Sequence, residues 1–155
     1  MQKEEIKNEL ENELKKMNNS LRRINELLGI ETENKTNKTN EVETVTVTEI
    51  LHYVGMPSNL SGFWYTRDAI LMVIKDVNVL RGITKNIYPD IAKKYKSSPS
   101  RVERAIRHAV EVAWSRGDTG YIDTIFGYTV DIKRGKPSNS EFIASLADYI
   151  NNYIK

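Results

Sequence analysis

From Leu10 onward the apolar residues recur at Leu14, Met17, Leu21, Ile24 and Leu28, in steps that mostly alternate between four and three. That is a heptad seam nearly three heptads long, and it predicts a helix over residues 1–30 with Gly29 as its stop. Glu11, Glu13, Lys15, Lys16, Arg22 and Arg23 fill much of the remaining surface. A lone helix of this length is marginal in water, so its apolar stripe needs a cover. Two covers are open: a second copy of the chain, or the helix's own domain. The e and g positions Asn18, Ser20, Asn25 and Leu27 lack the charges that fix partner choice in a coiled coil. Self-association as a homodimer through residues 10–28 is the preferred expectation.

The pattern then disappears. Glu31 to Glu43 holds Val42 as its one apolar residue and contains the tandem NKTNKT, so a flexible polar linker is expected over 31–45. The VTVT run at 45–48 reads as a strand without a partner, and Thr48 reads as the N-cap of a short helix that buries Ile50, Leu51 and Val54 before Gly55 and Pro57. A longer helix follows from Ser61 or Gly62 to Leu80. It is apolar on most sides, with Phe63, Ile70, Val73, Ile74 and Val77, which marks it as the centre of a small core; Arg67, Asp68, Lys75 and Asp76 read as its solvent edge. His52 is expected to be a partly buried structural residue.

Next, Tyr88 or Pro89 opens a short helix running to Tyr95, with Ile91, Ala92 and Tyr95 inward. After the polar break Lys96-Ser97-Ser98 comes Ser98–Gly117, a helix with two unlike faces. Val102, Ile106, Ala109 and Ala113 form an apolar stripe, while Arg101, Arg104, His108, Glu111 and Ser115 form a polar one. Two starts fit this helix: Ser98 as N-cap with Pro99 at N1, or Ser100 in a capping box with Glu103. A short helix, a brief turn and a long helix with basic groups near its start is helix-turn-helix organisation. Beyond Gly117, a short helix is expected to end at Gly127. Tyr128, Val130 and Ile132 alternate, and Ser138 or Asn139 caps a last helix burying Phe142, Ile143, Leu146, Ile150 and Ile154.

Composition adds exclusions. The chain of 155 residues has no cysteine and two widely separated histidines, which removes disulfides and thiolate metal sites and leaves no metal or cofactor site to expect. No stretch is apolar enough for a membrane span or a secretory signal, so a cytoplasmic, nucleoid-associated location is expected. No Gly-rich phosphate loop or triad context accompanies His52 or His108, so no enzyme is expected. The net charge of +2 conceals an uneven distribution. Residues 1–50 carry eight Lys/Arg against eleven Asp/Glu, whereas residues 81–116 carry nine against three. A basic segment centred on one helix points to a polyanion.

The run YPDIAKKYKSSPSRVERAIRHAVEVAWSRG, followed by FGYTV and KPSNSEFIA, resembles the carboxy-terminal effector domain of stage 0 sporulation protein A. The similarity spans about Thr46 to Leu146. The resemblance implies an all-α fold: a compact six-helix domain over 46–155 that contains the helix-turn-helix and binds a short box of double-stranded DNA in promoters. Carried over by position, it makes Arg101, Arg104 and His108 base-edge readers, with Glu103 close by. It places Lys93, Lys96, Ser97, Ser98, Ser100 and Arg107 at phosphates. In the family the segment after the recognition helix meets the sigma subunit of RNA polymerase, which implies Gly117, Phe126 and Val130 here, although Asp118–Ile125 departs from the family pattern and Phe126 fits a place in the core equally well. Full-length members carry a phosphorylatable receiver domain. The 45 residues ahead of the resemblance show no strand–helix alternation, so control by aspartyl phosphorylation is not expected, and the heptad helix is expected to replace the receiver as dimeriser. An interaction protein that antagonises a full-length regulator is the alternative, motivated by the divergent Asp118–Ile125.

Overall fold

The computed structural model describes residues 2–27, 33–117, 119–127 and 135–153. Among these the chain forms seven α-helices and no strand: α1 (Gln2–Leu27), α2 (Glu33–Tyr53), α3 (Ser61–Lys75), α4 (Tyr88–Lys94), α5 (Pro99–Arg116), α6 (Thr119–Phe126) and α7 (Asn139–Tyr153). A 3-10 turn (Val77–Gly82) and a π turn (Ile83–Ile87) connect α3 to α4. The chain divides into two compact units, Met1–Glu41 and Val42–Lys155.

In the first unit α1 presents its stripe to solvent. Ile6, Leu10, Leu14, Met17, Leu21 and Ile24 are each between 50% and 60% exposed, so the apolar face extends one turn ahead of Leu10. Gly29 and Leu28 lie outside the described residues.

Residues 33–45, expected as linker, are helical and continuous with the segment that follows. The cause lies at the far end of α2. Val47, Ile50, Leu51 and Val54 fall on one face and are buried in the core of the second unit. Once that end is anchored, extending the helix backward adds a hydrogen bond per residue without a second nucleation cost. The threonines are accommodated inside the helix: the hydroxyls of Thr46 and Thr48 donate to the carbonyls of Val42 and Thr44 at 2.8 and 2.7 Å. Thr48 is therefore a mid-helix residue and not an N-cap, and VTVT is not a strand. The end of α2 closes as expected at Gly55, whose φ of 88° permits the paired bonds Met56 N–H to Leu51 and Gly55 N–H to His52. His52 is exposed, with its ring 4.9 Å from that of Phe63, and is not partly buried.

Helix α3 ends at Lys75, five residues before the expected Leu80. Asp76 takes an extended conformation and its carboxylate accepts from Asn78 N–H at 3.0 Å, so a local side-chain bond replaces the next helical turn. Val77 consequently leaves the core and is 66% exposed. Within the second unit α3 lies against α5, α7 and α4. At Gly62 the backbones come close: an added Cβ would stand 2.0 Å from the carbonyl oxygen of Ala105 on α5. Phe126 stacks on Phe142 and meets Trp114 edge-on, closing the core between α5, α6 and α7. Phe142, Ile143, Leu146 and Ile150 line the buried face of α7; Ile154 lies outside the described residues.

Candidate nucleic-acid interface

Proline at the second position of α4 starts that helix with its missing N–H at no cost. Ile91 and Ala92 anchor it inward, and Tyr95 caps it. The turn then reverses through Lys96, whose φ of 53° is the left-handed conformation, and Ser97 N–H bonds the Ala92 carbonyl at 2.8 Å. This is the same closure as at Gly55, but with lysine where glycine is ordinarily found. Replacing Lys96 with glycine is therefore expected to raise stability by about 1 kcal/mol, a Tm increase of several degrees in a thermal melt. The same substitution should weaken DNA binding and make its salt dependence shallower by about one charge, if Lys96 meets a phosphate.

Of the two starts open for α5, the structure has Ser98. Its side chain accepts from Arg101 N–H at 3.3 Å, and Pro99 follows at the first helical position. Val102, Ile106, Ala109, Val110 and Ala113 are buried. Arg101, Arg104, His108, Glu111 and Ser115 are all exposed, as the periodicity predicts. Arg101 and Arg104 make no ion pair within 4.0 Å among the described residues, so their guanidinium groups face water with all their donors available. Lys93, Lys96 and Ser100 are exposed, and Ser97 and Ser98 are half-buried in the turn.

Two charged residues of the face are already engaged. Glu103 is half-buried and pairs with Arg107 one turn on, at 3.6 Å. Glu111 pairs with Lys136, whose ammonium is the first cause that holds the Glu111 carboxyl below its usual range. The open part of the face is thus the arginine-rich amino-terminal half.

The cluster that sets α4 was not legible as a site. Asp68, expected at a solvent edge, is buried. Its carboxylate accepts from Tyr95 Oη at 2.6 Å, Lys94 Nζ at 2.9 Å and the Arg67 guanidinium at 3.0 and 3.1 Å, which ties α3 to the end of α4. Burial by itself would raise the Asp68 pKa; the Tyr95 hydroxyl, then Lys94 and Arg67, outweigh it and hold the carboxyl below its ordinary value. The Tyr95 hydroxyl is pushed up to about 12, first by burial and then by its bond to Asp68. Because the folded pKa of Asp68 is depressed, its contribution is present above the unfolded value of about 4 and is lost as pH falls through the folded pKa. Asp68→Asn is expected to cost roughly 2 kcal/mol at neutral pH, discounted for the exposure of Lys94, and to flatten the acid limb of the stability curve. Denaturant melts at pH 7 and pH 3 check this: the loss should shrink at the lower pH.

Asn139, at the first turn of α7, is buried and donates to Tyr88 Oη at 3.0 Å and to the Glu103 carbonyl at 3.1 Å. It fastens α7 to both helices of the motif. Ser138 is the cap, accepting from Glu141 N–H at 3.2 Å while its hydroxyl reaches the Glu141 carboxylate.

The residues implied at a sigma subunit separate. Phe126 is fully buried and belongs to the core, because the aromatic stack with Trp114 and Phe142 encloses it. Gly117 is half-buried and packs on the backbone of Gly55 and Val54. Val130 and Tyr128 lie outside the described residues.

A family model described as sporulation initiation factor Spo0A C terminal matches residues 47–150. The matched stretch takes in α3 to α6 and nearly all of α7, and with them the whole of the arginine-bearing face.

Proposed function

The chain belongs to the family of the sporulation initiation factor Spo0A C-terminal domain, and from that premise we propose that it is a sequence-specific transcription regulator in which α4 and α5 act as a helix-turn-helix. The family is one of sporulation-related DNA-binding domains and not of enzymes. The observation that carries the finer reading is the exposure of Arg101 and Arg104, which have no ion pair among the described residues, at the start of a helix whose opposite face is sealed in the core. An arginine fork can bond guanine O6 and N7 together in the major groove, and Lys93, Lys96 and Ser100 flank it where phosphates would run. Arg107 and Glu103 pair with one another at 3.6 Å, so a phosphate or a base that meets either one competes with that pair. Selection of duplexes from a randomised pool, followed by titration against a scrambled duplex, tests the assignment. A preference of about 10³-fold or more is expected at physiological salt, and equal affinities would refute sequence-specific recognition.

The exposed stripe of α1 favours self-association as the means of placing two reading heads on paired boxes. In the full-length chain, Leu14→Asp combined with Leu21→Asp should reduce the sedimenting species to one chain and remove the advantage of paired over single boxes. An unchanged mass would exclude the stripe as the assembly surface. No helix of the described residues is long and apolar enough to cross a membrane.

A further inference from the structure

We infer that α1 pairs with a second copy of itself in antiparallel orientation, Leu14 lying against Met17 of the second copy and Leu21 against its Leu10; this rests on the self-association proposed above. With Leu14 and Leu21 at a, and Leu10, Met17 and Ile24 at d, the frame of the helix is fixed, and three features choose the direction.

The first is charge. Residues 2–13 carry five glutamates against two lysines, and residues 14–27 carry four Lys/Arg against one glutamate. The helix dipole does not account for this, because it acts within the terminal turns: the first holds Glu4 and Glu5 beside Lys3, and the last holds Glu26 and no basic residue. Side by side in the same direction, two such helices set acidic half on acidic half and basic on basic. Reversed, each half faces its opposite, and Glu9 and Arg23, both at c, come to the same flank.

The second is the seam itself. Running the frame back puts Lys7 at a and Lys3 at d. A parallel pair stacks Lys7 on Lys7 and Lys3 on Lys3 inside the interface. The antiparallel pair sends them to opposite ends, with Lys7 beside Ile24, where its stem can pack and its ammonium reach water.

The third is a pair of apolar residues outside the a and d positions. Ile6 and Leu27 both occupy g and are 57% and 81% exposed. In a parallel pair g faces the e position of the next heptad, which sets Ile6 against Glu11. In the antiparallel register g faces g, and Ile6 meets Leu27 of the second copy. Each exposed side chain then covers the other at both ends of the pair.

With residue 27 of one copy level with residue 4 of the other, the two carboxy-terminal ends of α1 emerge about 35 Å apart at 1.5 Å per residue.

The chain has no cysteine, so introduced cysteines report neighbours without background. Full-length Glu13→Cys mixed with full-length Ser20→Cys and treated with a short bis-maleimide should give a linked dimer, since 13 and 20 face each other g to g. Glu13→Cys mixed with Asn18→Cys should stay unlinked. Linkage of 13 to 18 without 13 to 20 is the g-to-e contact of a parallel pair; it overturns the orientation and leaves self-association standing. Sedimentation of the unmodified protein as a single 17.8 kDa chain would instead overturn the self-association itself.

Discussion

Replacing Arg101 and Arg104 together with alanine is expected to abolish sequence preference while leaving the folded domain unchanged. Both side chains are exposed and carry no ion pair among the described residues, so stability should move by no more than about 0.5 kcal/mol. On DNA each bidentate arginine is worth roughly 1–3 kcal/mol of discrimination, or about 5- to 150-fold. The double variant should therefore fall to the affinity for scrambled duplex. Lys93→Ala makes the contrasting case: without its ammonium at a phosphate, affinity drops about equally for every sequence and the salt slope falls by about one. Binding curves at two salt concentrations on matched and scrambled duplexes separate the two behaviours. If the double variant kept its preference for the selected sequence, the reading face would lie elsewhere and α5 would be a scaffold.

What the sequence disclosed and what it concealed divide along the range of the forces involved. The faces of α5 were legible because exposure follows a 3.6-residue period, and the caps were legible to within two candidates each, Ser98 or Ser100 and Ser138 or Asn139, because a cap acts within three residues. The closure at Gly55 was visible for the same reason. The helical state of residues 33–45 was not, because composition alone argues for disorder there and the stabilising contacts lie beyond that stretch, at Val47, Leu51 and Val54. Asp68 and Asn139 were hidden more deeply. Their partners stand 26 to 27 and 36 to 51 residues away, and only the tertiary packing of α3, α4, α5 and α7 brings them within hydrogen-bonding distance. A single carboxylate in the apolar run of α3 was the available signal for Asp68, and a solvent edge explained it equally well. Phe126 is a different case: its place in a family pattern left a contact role and a core place equally open, and it is buried in the core.

Gly62→Ala is the substitution expected to damage the second unit most. The added Cβ would lie 2.0 Å from the Ala105 carbonyl oxygen, 2.6 Å from its carbonyl carbon and 2.8 Å from the Ala109 Cβ. Two of these are backbone atoms of α5, so no side-chain rotation relieves the clash, and α3 and α5 must part. Alanine gains at most about 1 kcal/mol in helix propensity near the start of α3. Against this stands an overpacking cost of roughly 3 kcal/mol or more, spread over the buried residues that α3 and α5 share. The net change should lower Tm by on the order of 10 °C. Ser61→Ala, one residue earlier and exposed, is the control and should leave Tm within about 2 °C. Affinity measured at low temperature, where the variant is fully folded, adds a second reading. Ala105 sits on α5 between Arg104 and Ile106, so any outward shift of that helix moves the arginines relative to the body that positions Lys93 and Lys96. Specific affinity should then fall even without unfolding. A variant that melts like the parent would mean that the α3–α5 crossing does not pass through Gly62.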